Sequence, residues 1–127
     1  MAMAKTILIV DDSKSVRAVI GTTLKMGGYT TITAEDGKQA LDMLEKQDAV
    51  MIDLIITDVN MPNMDGVTLI KELKKLPRYA KIPVCVLTTE TEQGKLEAEM
   101  QTLKDAWITK PVQPAHVLNI VGELLAD

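Results

Sequence analysis

The stretch "DLIITDVNMPNMDG", residues 53–66, decides how the chain is read. A run of apolar and β-branched residues stops on a charged one, Asp58, and a turn-forming Asn-Met-Pro-Asn segment follows. Continuous β-branched character, rather than alternation, suits a strand covered on both faces, as in a parallel sheet. Such a strand has no structural need for a carboxylate at its tip.

Four more runs share the pattern of "DLIIT" (53–57): "TILIV" (6–10), "TTITA" (30–34), "VCVLT" (84–88) and "AWIT" (106–109). Helical periodicity fills the gaps. Val16, Val19, Ile20 and Leu24 share a face, with Ser13 as the N-cap and Gly27-Gly28 as the stop. Ala40, Leu41 and Leu44 form the second face. Leu69, Ile70, Leu73 and Leu76 form the third, stopped by Pro77. Leu96, Met100 and Leu103 mark a weaker fourth, and Val117, Ile120, Val121 and Leu124 a clear fifth. Five strand–helix alternations predict right-handed βαβ units, with helices on both faces of one doubly wound α/β sheet. No repeat, low-complexity tract or linker divides residues 1–127, so one domain is expected.

Composition narrows the function. The chain is 46% hydrophobic and 25% charged, which suits a globular domain. It has no phenylalanine, one tryptophan and two tyrosines, so the core must be aliphatic. A net charge of -4 argues against a nucleic-acid or membrane surface as partner, since both select basic faces. The single cysteine, Cys85, reads as a buried small hydrophobe and fits a reducing cytosol. "MAMAKTILIV" is too short and too weakly basic for a secretory signal, and no apolar run is long enough to span a bilayer. A cytoplasmic protein is expected.

The polar residues collect at one edge. The first run ends in Asp11-Asp12 and the third in Asp58. The fourth ends in Thr88-Thr89-Glu90, and the fifth in Thr109-Lys110-Pro111. All of these are carboxyl ends of predicted parallel strands, the edge where open α/β sheets bind ligands. Clustered aspartates repel one another, and a hard divalent cation would relieve that repulsion. Magnesium favours a few carboxylates plus carbonyls and water, often beside a phosphate. Asp58 could attack phosphorus to give an acyl phosphate. Lys110 would offset the charge of the transferring group, and the Thr88 hydroxyl could donate to it.

At these residues the chain resembles the receiver domains of two-component response regulators, and among them the stand-alone, CheY-like chemotaxis type. "ILIVDDSKSVR" resembles the first strand and acid pair, and "TAEDGKQAL" the opening of the second helix. "DLIITDVNMPNMDG" is similar to the phospho-acceptor strand and loop. "IPVCVLTTE" and "WITKPV" are similar to the family's Thr and Lys-Pro segments. The resemblance covers essentially the whole chain. It implies a flavodoxin-like (βα)5 sheet of order 2-1-3-4-5. It implies Asp58 as phosphate acceptor, and a magnesium ion on Asp11, Asp12, Asp58 and the backbone carbonyl of Asn60. Thr88 would contact the phosphoryl group, Lys110 would pair with it, and Trp107 occupies the family's aromatic switch position. Implied partners are a sensor histidine kinase as donor and a downstream protein at the face of helix 4, strand 5 and helix 5. The protein would act as a monomeric switch rather than an enzyme with turnover. Asn60 and Glu90 resemble chemotaxis regulators at their positions. Two residues and one segment depart from the family pattern: Thr89 is larger than the usual residue after the Thr, Val112 replaces a frequent Phe, and "QTLKDA" lacks the common Gly.

Two other readings compete. A phosphohydrolase working through an aspartyl phosphate usually carries a second acid two residues after the nucleophile, where this chain has Asn60. A receiver-like module that is never phosphorylated would not need the full acid set. The remaining marked residues read plainly. Met61 and Met64 are loop packing, His116 is a surface residue, and Lys71, Lys74 and Lys75 form a solvated face.

Overall fold

The structure, a computed structural model, describes residues 4–46 and 51–126, and of Glu90 only the backbone. Ten elements alternate in order: β1 (Thr6–Val10), α1 (Lys14–Met26), β2 (Thr30–Ala34), α2 (Gly37–Glu45), β3 (Leu54–Asp58), α3 (Gly66–Lys74), β4 (Val84–Thr88), α4 (Glu90–Met100), β5 (Ala106–Thr109) and α5 (Pro114–Leu125). The five strands are parallel in the order β2-β1-β3-β4-β5. This is the expected flavodoxin-like sheet.

Alternation along each strand divides the core into two layers. Leu8, Val10, Ile55, Val84 and Val86 pack with α2 and α3 through Ala40, Leu41, Leu44, Leu69, Ile70 and Leu73, and with Met100 of α4. Ile7, Ile9, Leu54, Ile56, Cys85, Leu87 and Ile108 pack on the other side with Ile20 and Leu24 of α1 and Val117 and Val121 of α5. The central strands β3 and β4 are buried at every position, as their unbroken apolar runs require. The edge strands β2 and β5 are only partly covered, which explains the threonines of "TTITA".

Several expectations are corrected in detail. β3 begins at Leu54; Asp53, just before it, accepts a 2.7 Å hydrogen bond from the Thr6 backbone amide through its side chain. Val19 is 45% exposed; Ile20 and Leu24 take the centre of the buried face of α1. α3 ends at Lys74, before Leu76 and Pro77, and α4 ends at Met100, before Leu103. Ser13 caps α1 as expected, its hydroxyl accepting from the Val16 amide at 3.3 Å. Cys85 is fully buried, Met61 and Met64 pack against the core, and His116 is exposed. Lys71 and Lys75 form exposed ion pairs with Glu99 and Glu72, as a solvated face should.

Gly66 at the start of α3 fixes the loop beyond β3. Its amide donates to the Val59 carbonyl at 2.8 Å. A Cβ there would lie 2.0 Å from the Asp58 carbonyl oxygen, which belongs to rigid backbone. Gly66→Ala is therefore expected to cost about 3 kcal/mol, the upper range for forcing extra volume into a packed site. Chemical denaturation measures this; a variant as stable as wild type contradicts it.

Candidate functional site

The carboxyl tips of β1 and β3 lie side by side, because Val10 is in register with Thr57. Asp11 and Asp12 follow Val10, and Asp58 follows Thr57. One carboxylate oxygen from each of Asp11, Asp12 and Asp58 lies within 4.8 Å of the others. Asp11 is fully buried, Asp58 is 5% exposed, and Asp12 faces solvent. The cluster thus has a closed floor and an open rim.

Lys110 enters from the end of β5. Its Nζ is 3.1 Å from Asp58 Oδ1 and 3.5 Å from Asp11 Oδ2. Its backbone amide donates to the Thr88 carbonyl at 2.8 Å, which fastens the β5 tip to the β4 tip. Asp58 Oδ1 also accepts the Val59 amide at 2.8 Å. Asp11 Oδ1 accepts the Ser13 amide at 2.8 Å, while Asp11 Oδ2 is buried without a hydrogen bond. A buried carboxylate oxygen that the Lys110 ammonium reaches only at 3.5 Å is costly unless something else binds it more closely. A small divalent cation among the three acids would do so, and the all-oxygen donor set suits magnesium. The residues present fit the ion.

Burial raises the Asp58 pKa above its ordinary value, and repulsion from Asp11 adds to the shift; Lys110 and the Val59 amide oppose it. For Lys110, burial alone would lower the pKa, but the Asp58 and Asp11 carboxylates outweigh it and the net shift is upward. Because the folded state holds the Asp58 proton more tightly than the unfolded chain, stability falls as pH rises from the ordinary carboxylate range through the raised value. At neutral pH without divalent cations, Asp58→Asn should therefore melt higher than wild type, by about 4 °C for each kcal/mol relieved. The gap should close below the ordinary value of 3.8. An equal or lower melting temperature for the variant at pH 7 contradicts this.

The structure brings Asp11, Asp12, Asp58 and Lys110 together. The Thr88 side chain is buried at the next strand tip, and its hydroxyl donates to the Thr89 carbonyl at 3.1 Å. Trp107 lies farther down β5, paired with Val86, half-buried against the α2–α3 side, with Lys104 Nζ 5.2 Å from its ring centroid. Thr89 is exposed and caps α4, its hydroxyl accepting the Glu92 amide at 3.2 Å. Asn60 follows Val59 in the loop, and its side-chain amide donates to Glu92.

Other residues that shape the pocket are absent from the sequence reading. Asn63 has a left-handed backbone, φ 68°, and its amide donates to Asp36 Oδ2 at 2.9 Å. The Gly37 amide donates to the Met64 carbonyl at 3.1 Å. These bonds hold the β3–α3 loop against the start of α2. Arg17 donates to the Asp11 carbonyl at 2.6 Å. Glu92 had a readable signal, since Thr89-x-x-Glu92 is the spacing of a capping box.

Comparison with known proteins agrees with this geometry. Residues 7–122 match the family model of the response regulator receiver domain. A chemotaxis protein CheY homolog of Campylobacter jejuni is 34% identical over 122 residues, covering 95% of this chain and 89% of that protein. The rice two-component response regulator ORR5 is 33% identical, covering 96% and 90%. The structure of chemotaxis response regulator CheY4 of Vibrio cholerae superimposes with a TM-score of 0.87 at 35% identity, over 97% of this chain and all of that one. The receiver domain of a Pseudomonas aeruginosa sensor histidine kinase, solved with a magnesium ion coordinated in its active-site cleft, gives a TM-score of 0.85 at 26% identity, over 98% of this chain and all of that one. With its sheet order, its acid cluster and a family match across nearly all of its length, the chain belongs to the response regulator receiver domain family.

Proposed function

We propose that the protein is a phosphorylation-driven signalling switch whose acceptor is Asp58. A sensor histidine kinase presents phosphohistidine. An Asp58 carboxylate oxygen forms a bond to phosphorus as the nitrogen–phosphorus bond breaks, and the bonding pair leaves on the imidazole nitrogen. The observation that carries this reading is the cluster of three carboxylates, two of them ion-paired to Lys110, with Asp11 Oδ2 buried and reached by that ammonium only at 3.5 Å. Asp11, Asp12, Asp58 and the Asn60 carbonyl are the residues that would hold magnesium. When bound, the ion offsets charge on the carboxylates and on the phosphoryl oxygens. Lys110 supplies a fixed positive charge at the acceptor, and Asp11 and Ser13 keep the pocket floor in place.

The new group carries about -1.5 to -2 charge, as a phosphate monoester does. It draws the Thr88 hydroxyl away from the Thr89 carbonyl and engages Lys110. That movement biases the tip of β4, the start of α4 and Trp107 toward a second arrangement. We place the output at the α4–β5–α5 face, as binding to a downstream protein by a single, monomeric receiver domain in the cytoplasm. Relatives of matching length that are named as chemotaxis regulators support a chemotaxis or motility pathway. No helix among the described residues is long and apolar enough to cross a membrane. Incubation with acetyl phosphate and magnesium, followed by intact mass, tests the reading. A stoichiometric phosphoryl adduct is expected, and its absence overturns the proposal.

A further inference from the structure

Glu92 makes a contact that the phosphorylation reading leaves unused. It is the third residue of α4, and its Oε1 accepts the Thr89 amide at 3.0 Å, which completes the capping box. Capping needs only that oxygen. The other, Oε2, accepts from the side-chain amide of Asn60, 32 positions away. Asn60 lies two residues beyond Asp58, in the loop that α2 holds from elsewhere through Asn63 and Met64.

We propose that Glu92 is a positioning residue for the cation site. It braces Asn60, and with it the Asn60 carbonyl, against the first turn of α4. The inference rests on the reading of that carbonyl as a magnesium ligand. A ligand atom already held in place loses less freedom when the ion arrives, so the brace appears as affinity. A hydrogen bond at a partly exposed site contributes about 1 kcal/mol, which corresponds to about fivefold in the dissociation constant. The bridge also joins the loop to α4, so an ion at the pocket restrains the start of that helix.

Magnesium titrations by calorimetry test this on wild type, Glu92→Ala, Glu92→Gln, Asn60→Ala and the Glu92→Ala/Asn60→Ala double variant. Asn60→Ala keeps the backbone carbonyl and removes only the braced amide. Glu92→Ala and Asn60→Ala should each weaken binding about fivefold, and the double variant no further. Glu92→Gln should stay near wild type. Its amide oxygen can accept from Thr89 while its amide nitrogen donates to a turned Asn60. Unchanged affinity in Glu92→Ala overturns the inference. So does an equal loss from Glu92→Ala in the Asn60→Ala background, which would assign the effect to charge or capping alone. A loss in Glu92→Gln as large as in Glu92→Ala overturns it too. If Glu92→Ala does not fold, Asn60→Ala decides by itself, fivefold weakening supporting the brace and no change overturning it. Wild type that binds no magnesium removes the underlying reading as well, which separates that failure from failure of the brace.

Discussion

Treated with acetyl phosphate and magnesium, the wild-type protein should gain one phosphoryl group, and Asp58→Asn should gain none. The expectation follows from how unlike the three acids are. Asp11 is fully buried, with one oxygen occupied by the Ser13 amide and its carbonyl held by Arg17. Asp12 is exposed, and the Lys110 ion pairs go to the other two acids. Asp58 alone combines slight exposure, 5%, with an ammonium 3.1 Å away. An asparagine amide is far less nucleophilic, so the loss should reach the detection limit rather than a small factor. Lys110→Ala should retain the acceptor but slow its reaction about 10²-fold, the usual effect of removing one charge-stabilising donor. Intact mass and peptide mapping read both results. An adduct that persists in Asp58→Asn would remove that residue from the chemistry.

Chelating magnesium should slow the same reaction by at least about 10²-fold, since a bound cation contributes several kcal/mol of charge stabilisation. The electrostatics of the pocket explain why. Three carboxylates meet one ammonium, which leaves two negative charges uncompensated when all are ionised. The upward shift of Asp58 reflects burial first and repulsion by Asp11 second. A divalent cation would balance the remaining charge. It should therefore stabilise the fold as well, by about 2.7 kcal/mol at a hundredfold excess over its dissociation constant. That corresponds to about 10 °C in melting temperature. Asp12→Asn should reduce both effects, because Asp12 forms the solvent-facing side of the cluster. A melting temperature indifferent to magnesium would contradict the pocket's assignment.

Much of this was legible in the residues because a doubly wound sheet writes a simple pattern. Unbroken runs such as "VCVLT" belong to strands covered on both faces, and β4 is buried throughout. The acids at the strand tips were equally plain, since nothing in a buried strand calls for Asp58. What stayed hidden depends on contacts between distant segments. Val19 fits the apolar period of α1, yet packing centres on Ile20 and Leu24. The left-handed turn at Asn63 and its bond to Asp36 join segments 27 positions apart, and no local propensity announces them. Thr89 stood out for its size beside Thr88, while its capping role depends on Glu92 three residues on.

The most direct measurement is a crystal structure grown with magnesium, beryllium and fluoride, which together mimic the phosphoryl group. A beryllofluoride group is expected on an Asp58 carboxylate oxygen, with Lys110 and the turned Thr88 hydroxyl against its fluorines. The cation should sit among Asp11, Asp12, Asp58 and the Asn60 carbonyl. A cation bound elsewhere, or an Asp58 carboxylate left bare at saturating beryllofluoride, would contradict it.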